Sequence, residues 1–335
     1  MSYSFAIVGC GRIGERHARH IANRGSLLSV CDIQADRALA LATQYKAAAY
    51  TSLPHLLQAT VPDIVSVCTP NGLHAEHSIM ALEAGCHVLC EKPMALTVHD
   101  ARQMLNTAQK YDKQLFVVKQ NRYNPPVAWL KDLIATGKLG QIYSFHLSCC
   151  WNRTVAYYND NWRGTSQLDG GTLFTQFSHF IDLLYWLLGD VLHVQGLRAN
   201  YAHGKAIEFE DTGAALLQMQ QGAMGTLHYT VNTYAKNMEG SLTLIGENGT
   251  VKIGGQYLNQ LEFCSVKDVA PPQLLPGEPA NNYGAYEGSM SNHDKVYDNL
   301  IRTMNDPSYP FMNAEDALKT VEIIEKIYAA SPFIF

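Results

Sequence analysis

The chain has 335 residues, which is enough for two domains of ordinary size. Hydrophobic residues make up 47% and charged residues 16%, a balance typical of a globular protein and not of a largely disordered one. The formal net charge is −5 and no run of Lys or Arg occurs, so the basic face that nucleic acid binding needs is missing. Length, composition and charge therefore indicate a two-domain globular protein and argue against a nucleic-acid partner.

The sequence contains no uncharged apolar stretch of about 18 residues, the length that a membrane-spanning helix requires, so no membrane partner is expected. The N-terminus runs directly into a glycine motif, and we expect a first strand there and not a signal peptide. Eight cysteines are scattered without a C-x-x-C pair, which favours a reduced, cytoplasmic protein. Five of them are predicted to be buried as small hydrophobic residues: Cys10, Cys31, Cys68, Cys86 and Cys90.

Short apolar runs alternate with helical patterns over the first 120 residues or so, which predicts a parallel sheet with crossover helices. The predicted strands are Phe5–Val8, Leu27–Asp32, Ile64–Cys68, His87–Cys90 and Leu115–Val118. The predicted helices are Ile13–Asn23, Asp36–Tyr45, His74–Ala84 and Val98–Lys110. The pattern predicts an α/β, doubly wound Rossmann domain over residues 1–121.

The pattern changes after about Asn121, where longer β-rich runs joined by short turns predict a large, mostly antiparallel open sheet. The predicted strands are Ile142–Trp151, Val191–Tyr201, Ala214–Gln218, Ala223–Val231, Ser241–Ile245 and Leu261–Val266. The predicted helices are Pro126–Ala135, His179–Leu188, Asn292–Met304 and Asn313–Ala330, and residues 268–290 are predicted to form a long loop. We assign residues 122–335 to an α+β domain for substrate binding and oligomerisation, with the last helix expected to pack back on the first domain.

Three glycines stand in G-x-G-x-x-G spacing between the first predicted strand and helix: Gly9, Gly11 and Gly14. Such glycines permit a tight turn, a close approach of the backbone to a pyrophosphate, and close packing of helix on strand. The helix that starts at Arg12 and Ile13 then offers free N–H groups to the phosphates. The motif predicts a dinucleotide site, with a plain glycine turn as the alternative.

Asp32 ends the second predicted strand, about twenty residues after the motif, where a carboxylate accepts hydrogen bonds from the adenosine ribose. This carboxylate would repel the 2′-phosphate of NADP by an energy on the order of several kcal/mol. We therefore expect NAD as the cofactor, although Arg37 is near enough in sequence to leave NADP open.

Lys92 follows the predicted strand His87–Cys90, in the sequence Cys90-Glu91-Lys92-Pro93. Ligands of open α/β sheets bind outside the carboxyl ends of strands, so Lys92 is expected in the cofactor crevice. A partly desolvated amine beside a positively charged nicotinamide loses proton affinity, which suits it to proton transfer. Judged alone, a lysine at a strand end can equally be a solvated surface charge.

Four motifs in this order resemble the glucose–fructose oxidoreductase/inositol dehydrogenase (Gfo/Idh/MocA) family: GCGRIG, CTPNGLHAEH, CEKPMAL and the GG…H…IDLL segment. The resemblance implies a catalytic Lys92 with a cis bond to Pro93, and a homodimer or homotetramer. It also implies further cofactor contacts from Thr69, Pro70, Asn71, His74, Glu91, Pro93, Gln120, Trp162 and Arg163. A metal site at His74 and His77 has no evident third ligand, so no metal is expected.

His179 is the expected second member of the chemical pair, because an imidazole titrates near neutrality as a general base for an alcohol must. The alternative is a core histidine in the apolar stripe of the helix His179–Leu188, and the resemblance favours catalysis. Many family members carry D-x-x-x-H, where this chain has Thr175. The residue that tunes the histidine is therefore in doubt, and inositol-type substrates become less expected.

The segments VKQNRYNPPV and NWRGT, with Gln176 ahead of S-H-x-I-D-L-L, resemble the bacterial UDP-N-acetylglucosaminuronic acid 3-dehydrogenases. That resemblance implies oxidation of the sugar's 3-hydroxyl in surface-polysaccharide (lipopolysaccharide or O-antigen) biosynthesis. The expected substrate contacts are Lys119, Asn121, Arg122, Tyr123, Thr175 and Gln176. Lys119, Arg122 and Arg163 can meet a uronate or pyrophosphate, since Arg binds such groups through two parallel hydrogen bonds. The alternative for each is a structural bridge.

The sequence thus predicts an enzyme, an NAD-dependent dehydrogenase acting on the CH–OH group of a small sugar substrate, with His179 as base and Lys92 stabilising the alkoxide. Three alternatives stay open. One is a polyol or inositol dehydrogenase or keto-sugar reductase, another is a redox-neutral glycosidase that uses NAD transiently, and the third is a non-catalytic NAD-binding sensor.

Overall fold

The computed structural model describes residues 3–159, 162–277, 279–282, 287–306, 308–309 and 314–334. Two compact units are formed, one by the chain up to Lys119 together with His293–Val321, the other by Gln120–Asn292 and the chain from Glu322 onwards. The segment His293–Val321, which the sequence analysis assigned to the second domain, thus groups with the first unit. The domain limits 1–121 and 122–335 themselves stay a prediction.

The first unit is built on a six-stranded parallel sheet in the order β3-β2-β1-β4-β5-β6. Its strands are β1 (Ser4–Val8), β2 (Ser26–Cys31), β3 (Ala48–Tyr50), β4 (Ile64–Val67), β5 (His87–Cys90) and β6 (Leu115–Val117). Its helices are α1 (Arg12–Ala22), α2 (Ala35–Tyr45), α3 (Leu53–Ala59), α4 (His74–Glu83) and α5 (Val98–Lys110). The strand order reverses between β1 and β4, so a ligand crevice opens at the carboxyl ends of these strands.

The second unit contains a seven-stranded sheet in the order β13-β12-β11-β7-β10-β9-β8. Its strands are β7 (Ile142–Cys150), β8 (Val191–Ala199), β9 (Thr212–Met219), β10 (Met224–Thr230), β11 (Glu239–Gly246), β12 (Gly249–Gly254) and β13 (Gln260–Val266). The pair β7–β10 is parallel and the other pairs of this sheet are antiparallel. In β9 the residues alternate strictly between buried and more exposed, as in a sheet with one covered face. The predicted fold class, a parallel Rossmann sheet plus a mostly antiparallel one, is confirmed.

Helices α6 (Pro125–Ala135), α7 (Thr172–Thr175) and α8 (Ser178–Leu188) belong to the second unit. Near the start of α8 the rings of Phe177 and Phe180 pack against Trp151, with centroids 5.2 and 5.6 Å apart. Nine residues of α8 are buried, so this helix forms part of the core. Helices α9 (His293–Asn305) and α10 (Ala314–Ala329) close the chain.

Four of these elements escaped prediction: β3, α3, α7 and β12. Helix α7 spans only four residues, too few to show a helical period. Strand β3 is a short, largely exposed strand, and α3 is a single short helix with Pro near its start, so neither has a clear apolar period. Strand β12 is short and bounded by glycines. The prediction of a long loop over residues 268–290 was also wrong in part, because strands β14 (Ala280–Asn282) and β15 (Glu287–Met290) pair there. The rest of that loop includes residues 278 and 283–286, which lie outside the described residues, as do Asn161 and Asn313 of the predicted segments.

The five cysteines expected to be buried are confirmed as buried and free. Searching the described ranges finds no helix that is both long and apolar enough to cross a bilayer.

Candidate active site

The glycine loop between β1 and α1 has the shape that a pyrophosphate needs. A Cβ atom on Gly9 would lie 2.5 Å from the carbonyl oxygen of Cys68, and one on Gly14 would lie 2.0 Å from that of Gly9. Gly9 also has a φ of +95°, so neither position accepts a side chain. A Cβ on Gly11 would meet no atom within 4 Å, which leaves open space for a ligand against the backbone.

Helix α1 begins at Arg12 and Ile13, and the preceding Gly11 gives no side-chain cap, so the first N–H groups of the helix face the space beside the loop. Asp32 lies at the end of β2, where its Oδ2 accepts from the Cys10 N–H at 2.8 Å and its Oδ1 from the Gln34 N–H at 2.8 Å. These bonds fix the carboxylate next to the loop. Each carboxylate oxygen has a further lone pair, so a ribose hydroxyl can still donate to it. The residues present therefore fit a dinucleotide.

His74 connects two loops at the crevice. Its Nδ1 lies 2.7 Å from the carbonyl oxygen of Pro93 and its Nε2 lies 2.8 Å from that of Thr69. The ring is buried, and burial lowers its pKa although both carbonyl contacts oppose this. Both ring nitrogens contact carbonyl groups of the protein, so His74 links the two loops, and its contact with a cofactor stays a prediction. Of its neighbours, Pro70 is half-buried and Asn71 is buried.

The Lys92–Pro93 peptide bond is cis, as the resemblance implied. Lys92 is half-buried, whereas Glu91 and Pro93 are buried on either side of it. The Glu91 carboxylate accepts the backbone N–H of Lys92 at 3.1 Å. The lysine is thus tied to a buried acid through its own main chain.

His179 lies in the first turn of α8 and is 4% exposed. Its Nε2 is 3.0 Å from the Nε2 of Gln120, which lies in a 3₁₀ turn over Gln120–Tyr123. With the amide assigned in this orientation the amide N–H donates, so the ring nitrogen must be the acceptor. Gln120 Oε1 is buried without a hydrogen-bond partner among the described residues. Gln120 is therefore a hydrogen-bond partner of the histidine whose partner the sequence left in doubt.

Arg122, an expected substrate contact, forms a buried two-pronged ion pair with Asp182 of α8, at 2.9 Å from Nε and 2.7 Å from Nη2. Its guanidinium carbon also lies 5.0 Å from the centre of the Trp186 ring. The charge of Arg122 is thus paired within the protein, as in the structural-bridge alternative, and its contact with the substrate stays a prediction. The sequence could not show the ion pair, since sixty positions separate Arg122 from Asp182.

Three other expected substrate residues have polar partners within their own unit. Lys119 donates from Nζ to the hydroxyl of Thr320 at 3.2 Å. The side-chain oxygen of Asn121 accepts from the Ser289 hydroxyl, and its Nδ2 is buried without a hydrogen-bond partner among the described residues. Gln176 accepts from Arg153 Nε at 2.7 Å and donates to the Tyr157 hydroxyl at 2.9 Å.

The remaining expected residues lie in more open positions. Tyr123, Trp162, Arg163 and Thr175 are half-buried. The guanidinium of Arg163 lies over the rings of Tyr157 and Trp162, with its central carbon 4.6 and 5.1 Å from their centres.

Arg153 is a residue that sequence reasoning missed. It is 3% exposed, donates to Gln176 and to Asn237, and lies over the rings of Trp151 and Tyr157. No motif marks an arginine that immediately follows a strand, so only the three-dimensional neighbourhood reveals it. Lys92 belongs to the first unit and His179 to the second, and their convergence on one substrate stays a prediction.

Comparison with known proteins adds three findings. A model of the Gfo/Idh/MocA oxidoreductase family with an NAD-binding Rossmann fold matches residues 3–119, and the model of that family's C-terminal domain matches residues 127–252. The D-glucoside 3-dehydrogenase of Escherichia coli (strain K12) is 43% identical over 286 residues, which cover 81% of this chain and 76% of that protein.

Two solved structures resemble nearly the whole chain. The WlbA dehydrogenase from Bordetella pertussis, in complex with NADH and UDP-GlcNAcA, has a TM-score of 0.88 at 34% identity and covers 98% of this chain and 96% of its own. The WlbA dehydrogenase from Chromobacterium violaceum, in a complex with the same two molecules, has a TM-score of 0.88 at 37% identity, with coverages of 98% and 93%.

Proposed function

Because the chain belongs to the Gfo/Idh/MocA family of NAD-dependent sugar and polyol dehydrogenases, we propose that it oxidises the 3-hydroxyl of UDP-N-acetylglucosaminuronic acid. NAD supplies the hydride acceptor. The hydroxyl proton passes to His179, the hydride leaves carbon 3, and the product is the 3-keto sugar. We place the reaction in the cytoplasm, in the synthesis of a surface polysaccharide, and in a homodimer or homotetramer.

One observation carries the catalytic assignment: the amide of Gln120 donates to Nε2 of His179, so this nitrogen carries no proton, and the substrate hydroxyl takes the place of the amide there before it gives up its proton. A general base must be unprotonated before it takes a proton from an alcohol. Lys92, beside the cis bond to Pro93, is proposed to donate to the oxygen of the reacting hydroxyl as negative charge develops on it. An NAD-binding sensor would need neither group.

The proposed substrate is supported by the two WlbA structures, which match the chain over almost its full length and contain UDP-GlcNAcA. Among the cations expected to bind its acidic groups, Arg122 is already paired with Asp182. The proposal also includes Lys119 and Arg163, whose cationic groups suit a uronate or a pyrophosphate.

A second candidate substrate is a neutral D-glucoside. The observation that favours it is the 43% identity to the D-glucoside 3-dehydrogenase of E. coli. Oxidation at carbon 3 is common to both candidates, so Lys92 and His179 would have the same functions, and the two differ in the charge of the substrate.

The test is a panel assay on the purified protein with NAD and four sugars: UDP-N-acetylglucosaminuronic acid, UDP-N-acetylglucosamine, a methyl D-glucoside and myo-inositol. NADH formation is followed by absorbance, with and without 2-oxoglutarate to recycle cofactor held in the site. We expect turnover with the uronate only. Turnover with the glucoside alone would transfer the assignment to the second candidate, and no turnover with any sugar, together with tight NAD binding, would favour a sensor.

Variants then test the residues. His179→Ala should lower turnover by roughly 10²–10⁴, and Lys92→Ala should be at least as damaging while NAD binding is nearly retained. His193→Ala and Lys110→Ala, which alter an exposed histidine and an exposed lysine, are the matched controls and should behave as the wild type. Wild-type turnover in either site variant would remove that residue from the mechanism.

A further inference from the structure

A chain of buried polar groups ends at Glu91, the residue before Lys92, in the first unit. The hydroxyl of Tyr297 on α9 lies 3.1 Å from the Ser66 hydroxyl and 2.7 Å from Nδ1 of His17 on α1. Nε2 of His17 lies 2.9 Å from Oε1 of Glu91, and Nε2 of His293 lies 3.1 Å from the same oxygen. All five residues are at most 5% exposed. Helices α1 and α9, strand β4 and the end of strand β5, which are distant in sequence, are thus joined through one network.

The hydrogen bonds at the carboxylate have a definite direction. Burial raises the pKa of Tyr297 well above its ordinary value, so its hydroxyl keeps its proton, and it bonds to both Ser66 and Nδ1 of His17. An ionised carboxylate only accepts, so Nε2 of His17 donates to Glu91. Burial lowers the pKa of His293 despite the nearby carboxylate, so its ring is neutral and also donates from Nε2. Its Nδ1, which has no partner among the described residues, is then only an unused acceptor.

Glu91 is ionised. Burial alone would raise its pKa, but the hydrogen bonds from His17 and His293 outweigh burial and hold the pKa well below its ordinary value. The third donor is the backbone N–H of Lys92, which carries no charge. These three hydrogen bonds therefore stabilise the ionised form of the carboxylate.

The other titratable groups that face Glu91 leave this charge in place. Burial raises the pKa of the thiols of Cys68 and Cys90, so both stay protonated, and it lowers the pKa of His74. His74 experiences the charges of Glu91 and Lys92 with opposite sign. Arg16 on α1 is the cation that acts on His293 from the outer side of the cluster. A buried negative charge thus remains one residue before Lys92.

We propose that His17, His293 and Tyr297 are positioning residues for Lys92, because they hold Glu91 as a fixed, buried carboxylate whose charge keeps the neighbouring amine protonated. Burial and the positive nicotinamide both favour loss of that proton, and an opposite charge nearby favours keeping it. A protonated amine is the form that can stabilise an alkoxide. The inference rests on the proposed role of Lys92, but its first measurement needs no substrate.

The ligand atoms of His17, Glu91 and His293 lie within 4.8 Å of one another, which is also compatible with a metal ion. Three features favour the hydrogen-bond network. Both imidazoles face one carboxylate oxygen at hydrogen-bond distance, the other carboxylate oxygen accepts from Lys92, and His17 has Tyr297 as a second partner. Zinc analysis of the purified protein decides between the two, and one tightly held zinc per chain would overturn the proposal.

The test compares His293→Gln with His293→Leu. The amide of glutamine can replace the Nε2–H donor, whereas leucine fills similar space and donates nothing. Substrate-free protein is labelled with trace acetic anhydride at neutral pH, and acetylation of Lys92 is measured by mass spectrometry against exposed Lys110 in the same sample. We expect roughly tenfold faster labelling of Lys92 in the leucine variant, which corresponds to a fall of about one pKa unit, and a near wild-type rate in the glutamine variant.

Kinetics provide the second measurement. In the leucine variant kcat should fall about tenfold while the Kd of NAD changes by less than about twofold, and glutamine should restore most of kcat. Unchanged labelling in the leucine variant, or equal labelling in both variants, would overturn the proposal.

Tyr297→Phe, which removes only a hydroxyl, replaces the leucine variant if that one does not fold. It should accelerate the labelling of Lys92 about threefold, and an unchanged rate would refute the network. If the wild type oxidised no sugar, the proposed function would fail while the labelling comparison still decided this inference.

Discussion

Glu210 gives the protein an unusual dependence of stability on pH. The side chain is fully buried in the second unit, where Oε1 accepts from the Tyr328 hydroxyl at 2.7 Å and from the Thr172 N–H at the start of α7 at 3.2 Å. Burial raises its pKa from 4.5 to about 7 although these hydrogen bonds oppose the change. The folded protein therefore holds a proton between these two values that the unfolded chain has lost.

The sign and size of the effect follow from this difference in bound protons. Stability contributed by Glu210 is fully present below pH 4.5, declines as the pH rises, and is lost above about pH 7. At 1.36 kcal/mol per pKa unit, the total loss is about 3 kcal/mol. Glu210→Gln keeps the shape but cannot ionise. The free energy of unfolding of the variant, measured relative to that of the wild type, should therefore increase by about 3 kcal/mol as the pH rises from 4.5 to 8.

The assay is urea unfolding of both proteins at several pH values across this range, and the difference between the two curves cancels the contribution of every other titrating group. Glu208→Gln, which changes an exposed carboxylate two positions away, is the control and should follow the wild type. A difference between wild type and Glu210→Gln that stayed constant with pH, or that grew towards acid, would refute the reasoning.

Three further predictions concern the cofactor site and the core of the second unit. NAD should bind at least about tenfold tighter than NADP, since Asp32 repels a 2′-phosphate; equal Kd values in a fluorescence titration would contradict this. Arg122→Ala should lower the free energy of unfolding by about 3–5 kcal/mol, because it leaves Asp182 buried without its partner, and Arg122→Met combined with Asp182→Leu should lower it less; equal losses in urea unfolding would argue against a buried pair. Gln120→Ala should lower kcat/KM about fivefold, for the loss of about 1 kcal/mol of hydrogen bonding to His179; an unchanged value would exclude Gln120 as its partner.

Features that depend on local pattern could be predicted from the sequence. The strands β1, β4 and β5 are nearly continuous apolar runs because both faces of a parallel sheet are covered, and each was predicted to within one residue at either end. The glycine spacing and Asp32 likewise have fixed local geometry. By contrast, β3 is an exposed edge strand of three residues. Because its side chains are not buried, its sequence need not be hydrophobic and shows no recognisable strand pattern.

Features that depend on distant pairs could not be predicted. The positions of Arg122 and Gln120 in the sequence say nothing about α8, which lies about sixty residues further on and brings Asp182 and His179 to them. The type of side chain suggested ligand contacts for both residues, which stay a prediction, whereas the fold gives each of them an intramolecular partner. The network around Glu91 was missed for the same reason, since His293 lies 202 positions away.

The pairing of Arg122 with Asp182 also bears on the choice between the two substrates. A sugar acid needs a cation whose charge is not already matched, because a buried arginine that forms two hydrogen bonds to a carboxylate has its planar donor edge occupied. Lys119 contacts a neutral hydroxyl at 3.2 Å, and Arg163 lies against the rings of Tyr157 and Trp162. A guanidinium can stack through its face and donate from its edge at the same time, so the ring contacts of Arg163 are compatible with binding of a carboxylate or a phosphate. We therefore expect discrimination between UDP-N-acetylglucosaminuronic acid and a neutral glucoside to depend more on Arg163 than on Arg122.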